Sequence, residues 1–152
     1  MRKTKLIFFI FLGTLSFKSY AISLVCFPFD HSVVQTNQQF NFMGSCKEYK
    51  EKNPKGIGCH IFNIDLMPET NEGFLKFGTT YSGNLRTTPS AYILKISDEV
   101  LSYDFEIDRK NLKFQKTETM QIKLGNQVLT GYVAIESGEC VIDSNAVSKN
   151  KI

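Results

Sequence analysis

Residues 101–108 read LSYDFEID and alternate between apolar or small side chains and acidic ones. Tyr103, Phe105 and Ile107 share one face of this segment, and Asp104 and Glu106 share the other. Because successive side chains of a β-strand point to opposite faces of the sheet, the pattern predicts a strand whose aromatic face lies in the core. We interpret the acidic face as solvated, rather than as a pair of catalytic carboxylates.

Further segments with a two-residue period flank this strand and are separated by Gly, Asn, Asp, Pro and Ser. Long stretches with helical periodicity are missing. The expected strands lie at 22–27 (ended by Pro28), 38–46, 59–66, 74–77, 92–96, 101–107, 112–114, 120–124, 129–135 and 140–142. Short strands joined by local hairpins predict an all-β, mainly antiparallel domain of about eight strands, either a small barrel or a two-layer sandwich.

The polar turn at 108–111 predicts the first hairpin. Loop length fixes the register of a hairpin, so this turn would set Ile107 opposite Leu112 and Phe105 opposite Phe114. Tyr103 would then face Lys116.

The pair Gly125-Asn126 predicts a second hairpin, because a two-residue turn with glycine first has the sequence of a type II′ turn. This turn places Ile122 opposite Leu129, both pointing inward, and Gly131 opposite Met120. We expect Val133 and Ile135 to continue the inward face.

The first 21 residues have the three parts of a secretory signal: a basic start, an apolar run at 6–17 and the small residues Ser19 and Ala21 at the cleavage position. The apolar run is shorter than the roughly 20 residues of a membrane span. We therefore predict a signal peptide at 1–21, a single β domain at 22–143, a flexible tail at 144–152, and no transmembrane segment after cleavage.

Cleavage would change the charge of the protein. Four of the 18 basic residues and none of the 15 acidic ones lie in 1–21, which leaves 14 and 15 and a net charge of −1. The mature chain therefore lacks the basic excess that nucleic-acid binding requires, and we predict no nucleic-acid partner. No asparagine has the N-glycosylation pattern. We predict export to a periplasm or outside the cell, and favour a bacterial over a eukaryotic origin.

All four cysteines, Cys26, Cys46, Cys59 and Cys140, follow the signal. An even number in an exported chain predicts two disulfides. We favour Cys46–Cys59 with Cys26–Cys140. Cys26–Cys46 with Cys59–Cys140 is the second choice, since sequence alone does not select the pairing.

No motif for catalysis, metal binding or nucleotide binding is present. We expect no enzyme activity, no metal and no cofactor. His60 neighbours Cys59 on the opposite face of a strand, and His31 would lie in a loop; neither suggests a chemical role.

Two connections exceed the length that a hairpin needs, 47–58 and 78–90. The second contains Tyr81, Asn84 and Arg86, which we predict form a binding loop, because Tyr and Arg are common anchors at interfaces. Two functions follow as expectations. One is a non-enzymatic binding protein for an unknown protein partner, such as an inhibitor. The alternative is a carrier with an apolar cavity for a small ligand inside a barrel.

Overall fold

The computed structural model describes residues 20–35, 41–56 and 58–145. Its elements are β1 (Ile22–Gln35), β2 (Asn41–Ser45), α1 (Cys46–Lys52), β3 (Phe62–Met67), β4 (Glu72–Phe77), β5 (Thr79–Thr87), β6 (Ala91–Ser97), β7 (Leu101–Asp108), β8 (Lys113–Leu124) and β9 (Gln127–Ile142). The predicted signal peptide up to residue 19 and the tail beyond Asn145 lie outside the described residues, as do positions 38–40 of the second predicted strand. Within the described ranges, no helix has both the length and the apolar character needed to cross a membrane.

The sheet closes into an eight-stranded antiparallel barrel. Strands β3 to β8 each pair with the next strand in the chain, and β1 closes the ring by pairing with β3 on one side and β9 on the other. The short strand β2 is the ninth, and it pairs with the second half of β1 beyond the end of β3. The all-β prediction is confirmed, with the barrel rather than the sandwich.

The middle of the barrel is filled by side chains. Its buried cluster comprises Leu24, Cys26, Phe62, Ile64, Leu66, Leu75, Leu85, Leu94, Ile96, Tyr103, Phe105, Ile107, Phe114 and Cys140. The aromatic face of β7 lies inside as predicted: Phe105 is 1% exposed, whereas Glu106 faces solvent. Phe62 packs its ring against both Phe105 and Phe114.

The register predicted for the β7–β8 hairpin is wrong by two residues. Ile107 pairs with Phe114, not Leu112, and Phe105 pairs with Lys116. The reason is that Leu112 belongs to the turn: its backbone is left-handed (φ 57°), and its N–H donates to the Asp108 carbonyl. A two-residue shift preserves the faces of a strand, so the assignment of core and solvent sides still holds.

The β8–β9 turn at Gly125-Asn126 forms as predicted, and Ile122 does pair with Leu129. Both are nevertheless more than 40% exposed, so the inward assignment is wrong. The hairpin extends past Met120, the last residue of β8 that pairs with β7. We call residues 121–130 the ribbon.

A β-bulge in β9 changes which side chains enter the barrel. Met120 pairs with Tyr132 and Gln121 with Thr130, so Gly131 is the extra residue and does not pair with Met120 as expected. An extra residue reverses the alternation of the strand that follows it. Ile135 consequently lies outside, at 40% exposure, and its neighbours Ala134 and Glu136 are buried.

Strand β1 does not end at Pro28. A register shift between Pro28 and Asp30 leaves Phe29 as an extra residue, and the strand then continues to Gln35. A bulge is one of the places where a strand tolerates proline, which lacks an N–H. His31 therefore lies in a strand and is buried, which corrects the expectation of a loop.

Both connections predicted as long loops contain regular structure. Residues 79–87 form β5, whose Thr and Tyr side chains suit a strand and whose buried anchor is Leu85. Residues 46–52 form α1, which begins with a capping box between Ser45 and Glu48. With seven residues, of which Cys46 and Tyr49 are buried, α1 is too short to show a helical period in the sequence.

The favoured disulfide pairing is confirmed. Cys26 and Cys140 are directly paired residues of β1 and β9, with Cα atoms 4.0 Å apart. Cys46 and Cys59 join the start of α1 to the segment before β3, with Cα atoms 5.4 Å apart. Such bonds are compatible with an exported protein.

Candidate functional site

A group of polar side chains lies inside the barrel on the side that α1 covers. We call it the polar cluster and define it as His31 of β1, Lys116 and Glu118 of β8, and Tyr132 and Glu136 of β9. Lys116 and Glu118 follow Phe114 at two-residue steps, so the alternation of β8 directs them inward. Tyr132 and Glu136 point inward because the bulge at Gly131 reverses the alternation of β9.

Glu136 is the centre of the cluster and is 1% exposed. Its Oε1 atom accepts the backbone N–H of Cys59 at 2.6 Å and lies 3.1 Å from His31 Nδ1. Its Oε2 atom lies 2.5 Å from Lys116 Nζ. These last two contacts are ion-pair distances without the alignment of a hydrogen bond. Cys59 has a left-handed backbone (φ 64°), an uncommon conformation outside glycine that positions its N–H on the carboxylate.

The surroundings of Glu136 decide its protonation. Burial acts to raise the pKa of its carboxyl group, but the contacts with His31 and Lys116 and the N–H of Cys59 outweigh it and lower the pKa to about 2. Glu136 is therefore an ionised acceptor across the ordinary pH range.

Glu118 and Tyr132 form the second half of the cluster. The Tyr132 hydroxyl donates to Glu118 Oε1, and Lys116 Nζ lies 3.6 Å from Glu118 Oε2. Burial and the bond to Glu118 raise the pKa of Tyr132 well above its usual range, so the phenol remains a donor. The cluster thus contains two carboxyl groups and one lysine that lies close to both.

Aromatic rings and one close-packed loop surround the imidazole. The centroid of His31 lies 4.2 Å from that of Tyr49 and 6.2 Å from that of Phe42. A Cβ atom at Gly58 would stand 2.6 Å from His31 Cε1, so glycine is required for the loop to approach the ring. This side of the barrel is thus closed by α1, β2 and the segment before β3.

A cavity of about 250 Å³ lies between the polar cluster and α1. Its walls include His31, Tyr49, Glu118, Tyr132 and Glu136, together with apolar side chains and glycines. Among the described residues that line it, none is a lysine or an arginine. The cavity therefore presents carboxylates, hydroxyls and ring faces.

The residues that we predicted as a binding loop lie elsewhere. Tyr81, Asn84 and Arg86 belong to β5, a strand that does not border the cavity. Tyr81 packs its ring 5.7 Å from that of Tyr103, and Arg86 is exposed. Their role in binding stays a prediction.

Three residues of types that can bind a metal lie close together at the polar cluster. Donor atoms of His31, Cys59 and Glu136 all lie within 4.8 Å of one another, a grouping that the sequence did not suggest. The sulfur of Cys59 is engaged in the disulfide. His60, by contrast, is exposed and contacts Lys50 and Phe77.

No protein-family model matches the chain, and no curated protein or solved structure shows significant similarity to it.

Proposed function

We propose that this protein is an exported, non-enzymatic binding protein that holds a small ligand with a positively charged nitrogen in the cavity beside α1. The signal-like sequence at 1–21 and the two disulfides support export to a periplasm or outside a bacterial cell.

The chemistry of the cavity wall carries the proposal. Glu118 and Glu136 border the cavity. Lys116 contacts both of them but is not part of the lining. Ring faces such as those of Tyr49 and Tyr132 attract cations through their quadrupoles. A cationic nitrogen would complement two carboxyl groups that share one lysine.

The volume limits the size of the ligand. Ligand pockets for drug-sized molecules span roughly 300–1,000 Å³. The volume of 250 Å³ corresponds to about eight water molecules at ~30 Å³ each. We therefore expect a compact amine or quaternary ammonium group rather than a lipid.

The electrostatics favour binding over acid–base catalysis. A general base works best with a pKa near the operating pH. The pKa of Glu136 is about 2, and both of its oxygens already have partners. Such a carboxylate attracts positive charge and is a weak proton acceptor.

The test is calorimetric titration and thermal unfolding with small amines, including trimethylamine and tetramethylammonium, against tert-butanol and acetate of similar size. We expect saturable binding of the amines alone. Glu118→Gln should weaken it at least about tenfold, because a contact with a charged group contributes ~1.5–3 kcal/mol. Glu106→Gln, an exposed acid on β7, is the matched control and should bind as the wild type does. Equal binding of acetate, or an unaffected Glu118→Gln variant, would contradict the proposal.

The protein-partner alternative makes a different prediction. There, recognition would depend on Tyr81 and Arg86 on β5, and Tyr81→Ala with Arg86→Ala would weaken partner binding by ~1–3 kcal/mol. Variants of the cavity and variants of β5 therefore separate the two functions.

A further inference from the structure

The region around Glu136 contains four groups that transition metals bind. His31, Cys59 and Glu136 place donor atoms within 4.8 Å of one another, and all three residues are buried. The fourth group is Cys46, whose sulfur is bonded to that of Cys59. Imidazole, carboxylate and thiolate are the usual ligands of zinc.

The disulfide prevents metal binding by occupying both sulfurs. We propose that reduction of Cys46–Cys59 converts this region into a site for one zinc ion, held by Cys46, Cys59, His31 and Glu136. This inference does not rest on the proposed ligand, because it concerns the reduced protein only.

The conversion balances in electrons and protons. A dithiol reductant breaks the Cys46–Cys59 bond by two thiol–disulfide exchanges; it passes two electrons and two protons to the cysteines and closes into its own disulfide. The zinc ion then replaces one proton on each thiol, so that binding releases two protons.

The charges around the site are compatible with a bound zinc ion. In the oxidised protein Glu136 pairs with Lys116. In the zinc form the two thiolates balance the two charges of the ion, so the pairing of Glu136 with Lys116 need not change. Each carboxylate oxygen has two lone pairs, and the contacts with Cys59 N–H and Lys116 leave some of them for a metal.

The four donor groups already lie near one another. In a tetrahedral zinc site with bonds of about 2.0–2.3 Å, neighbouring donor atoms lie roughly 3.3–3.8 Å apart. The donor atoms of His31, Cys59 and Glu136 lie within 4.8 Å of one another, and the sulfur of Cys46 is bonded to that of Cys59.

The two disulfides differ in how easily a dissolved dithiol can reach them. Cys46 and Cys59 border an open surface depression together with Lys47 and Lys50. Cys26 is fully buried in the barrel core. A dithiol should therefore open Cys46–Cys59 first and leave Cys26–Cys140 intact, which alkylation and intact mass measure directly.

The experiment titrates Co²⁺, as a spectroscopic substitute for zinc, into the full chain after this selective reduction. We expect one equivalent to bind, with a thiolate-to-cobalt band in the near ultraviolet and visible bands of tetrahedral intensity. The oxidised protein should show neither. His31→Ala should lower the affinity more than tenfold, whereas His60→Ala, which removes the exposed neighbour of Cys59, should not.

X-ray absorption of the zinc-loaded wild type provides a measurement that needs no variant. Two sulfur ligands and one imidazole are expected. The proposal is overturned if the reduced protein unfolds, if it binds no metal, if His31→Ala binds as tightly as wild type, or if the spectrum shows sulfur without imidazole. Amine binding by the oxidised protein would be unaffected by any of these results.

Discussion

The two disulfides lie in regions of opposite chemistry. Cys26–Cys140 links two paired strands within a mainly apolar core that contains Phe62, Phe105 and Ile107. Cys46–Cys59 joins a helix to a loop beside His31 and Glu136, two buried residues whose side chains can carry charge. The first region depends on uninterrupted alternation of side chains, and the second depends on bulges. We therefore expect the first region to contribute more to stability, and the proposed ligand would bind in the second.

Removal of each disulfide in turn should give the largest difference between the two regions in the free energy of unfolding. Cys26–Cys140 spans 114 residues and Cys46–Cys59 spans 13. In the loop-entropy model the longer closure restricts the unfolded chain by about 5 kcal/mol and the shorter by about 3. We therefore expect Cys26→Ala/Cys140→Ala to lower the free energy of unfolding more than Cys46→Ala/Cys59→Ala does. Urea unfolding of both double variants measures this, and the reverse order would contradict the assignment.

A pair of adjacent substitutions on β7 tests the core itself. Phe105 is 1% exposed and contacts Phe62, so Phe105→Ala should destabilise the protein by about 3–5 kcal/mol through cavity formation. Glu106→Ala, on the solvent face, should change stability by less than about 0.5 kcal/mol. Similar losses for the two variants in urea unfolding would mean that β7 does not divide core from solvent.

Acid should weaken the second region selectively. The pKa of Glu136 is about 2 in the folded protein against an ordinary value of 4.5. A lowered folded-state pKa contributes stability that is present above pH 4.5 and is lost as pH falls from 4.5 to 2. The difference corresponds to about 3 kcal/mol.

The measurement is urea unfolding at pH 6, 4, 3 and 2 for the wild type and Glu136→Gln. The variant lacks the titrating group, so its stability should fall by about 3 kcal/mol less over this range than that of the wild type. If the stability of the two proteins changes with pH in the same way, then His31 and Lys116 do not lower the pKa of Glu136.

The same contrast explains which residues of each region can be predicted from the sequence. The faces of β7 and the presence of two disulfides could be predicted, because alternation and an even cysteine count depend on local or covalent rules, whereas the sequence only favoured one pairing without selecting it. His31 and Glu136 could not, because each follows a bulge, at Phe29 and Gly131, that reverses the inward face. An interruption of that kind leaves the composition of the strand unchanged.

The sequence does contain signals for α1 and for part of the polar cluster. Ser45 and Glu48 have the spacing of a capping box, which marks the start of α1 even though the helix is too short to show a period. Lys116 and Glu118 continue the inward phase of Phe114, and charged residues at core positions indicate a buried pair or a site. The positions of their partners depend on barrel closure, which no local pattern encodes.

The ribbon gives the smallest expected effect and the sharpest test of where the core ends. Ile122 and Leu129 form the cross-strand pair that the turn predicts, yet they are 42% and 45% exposed, and they lie beyond the residues of β8 and β9 that pair with β7 and β1. Leu94 is fully buried in the barrel. An exposed cross-strand pair contributes about 0.2–1 kcal/mol relative to alanine, whereas a buried leucine contributes about 2–5.

Ile122→Ala should therefore lower the free energy of unfolding by less than about 1 kcal/mol, and Leu94→Ala by at least about 2. Amide hydrogen exchange supplies a second measurement, since backbone hydrogen bonds between two uncovered strands open without global unfolding. The amides of 121–130 should exchange faster than those of β6 and β7. If Ile122→Ala is as destabilising as Leu94→Ala, or if the ribbon amides are protected to the level of β7, then the ribbon is part of the barrel core and the boundary at Met120 is misplaced.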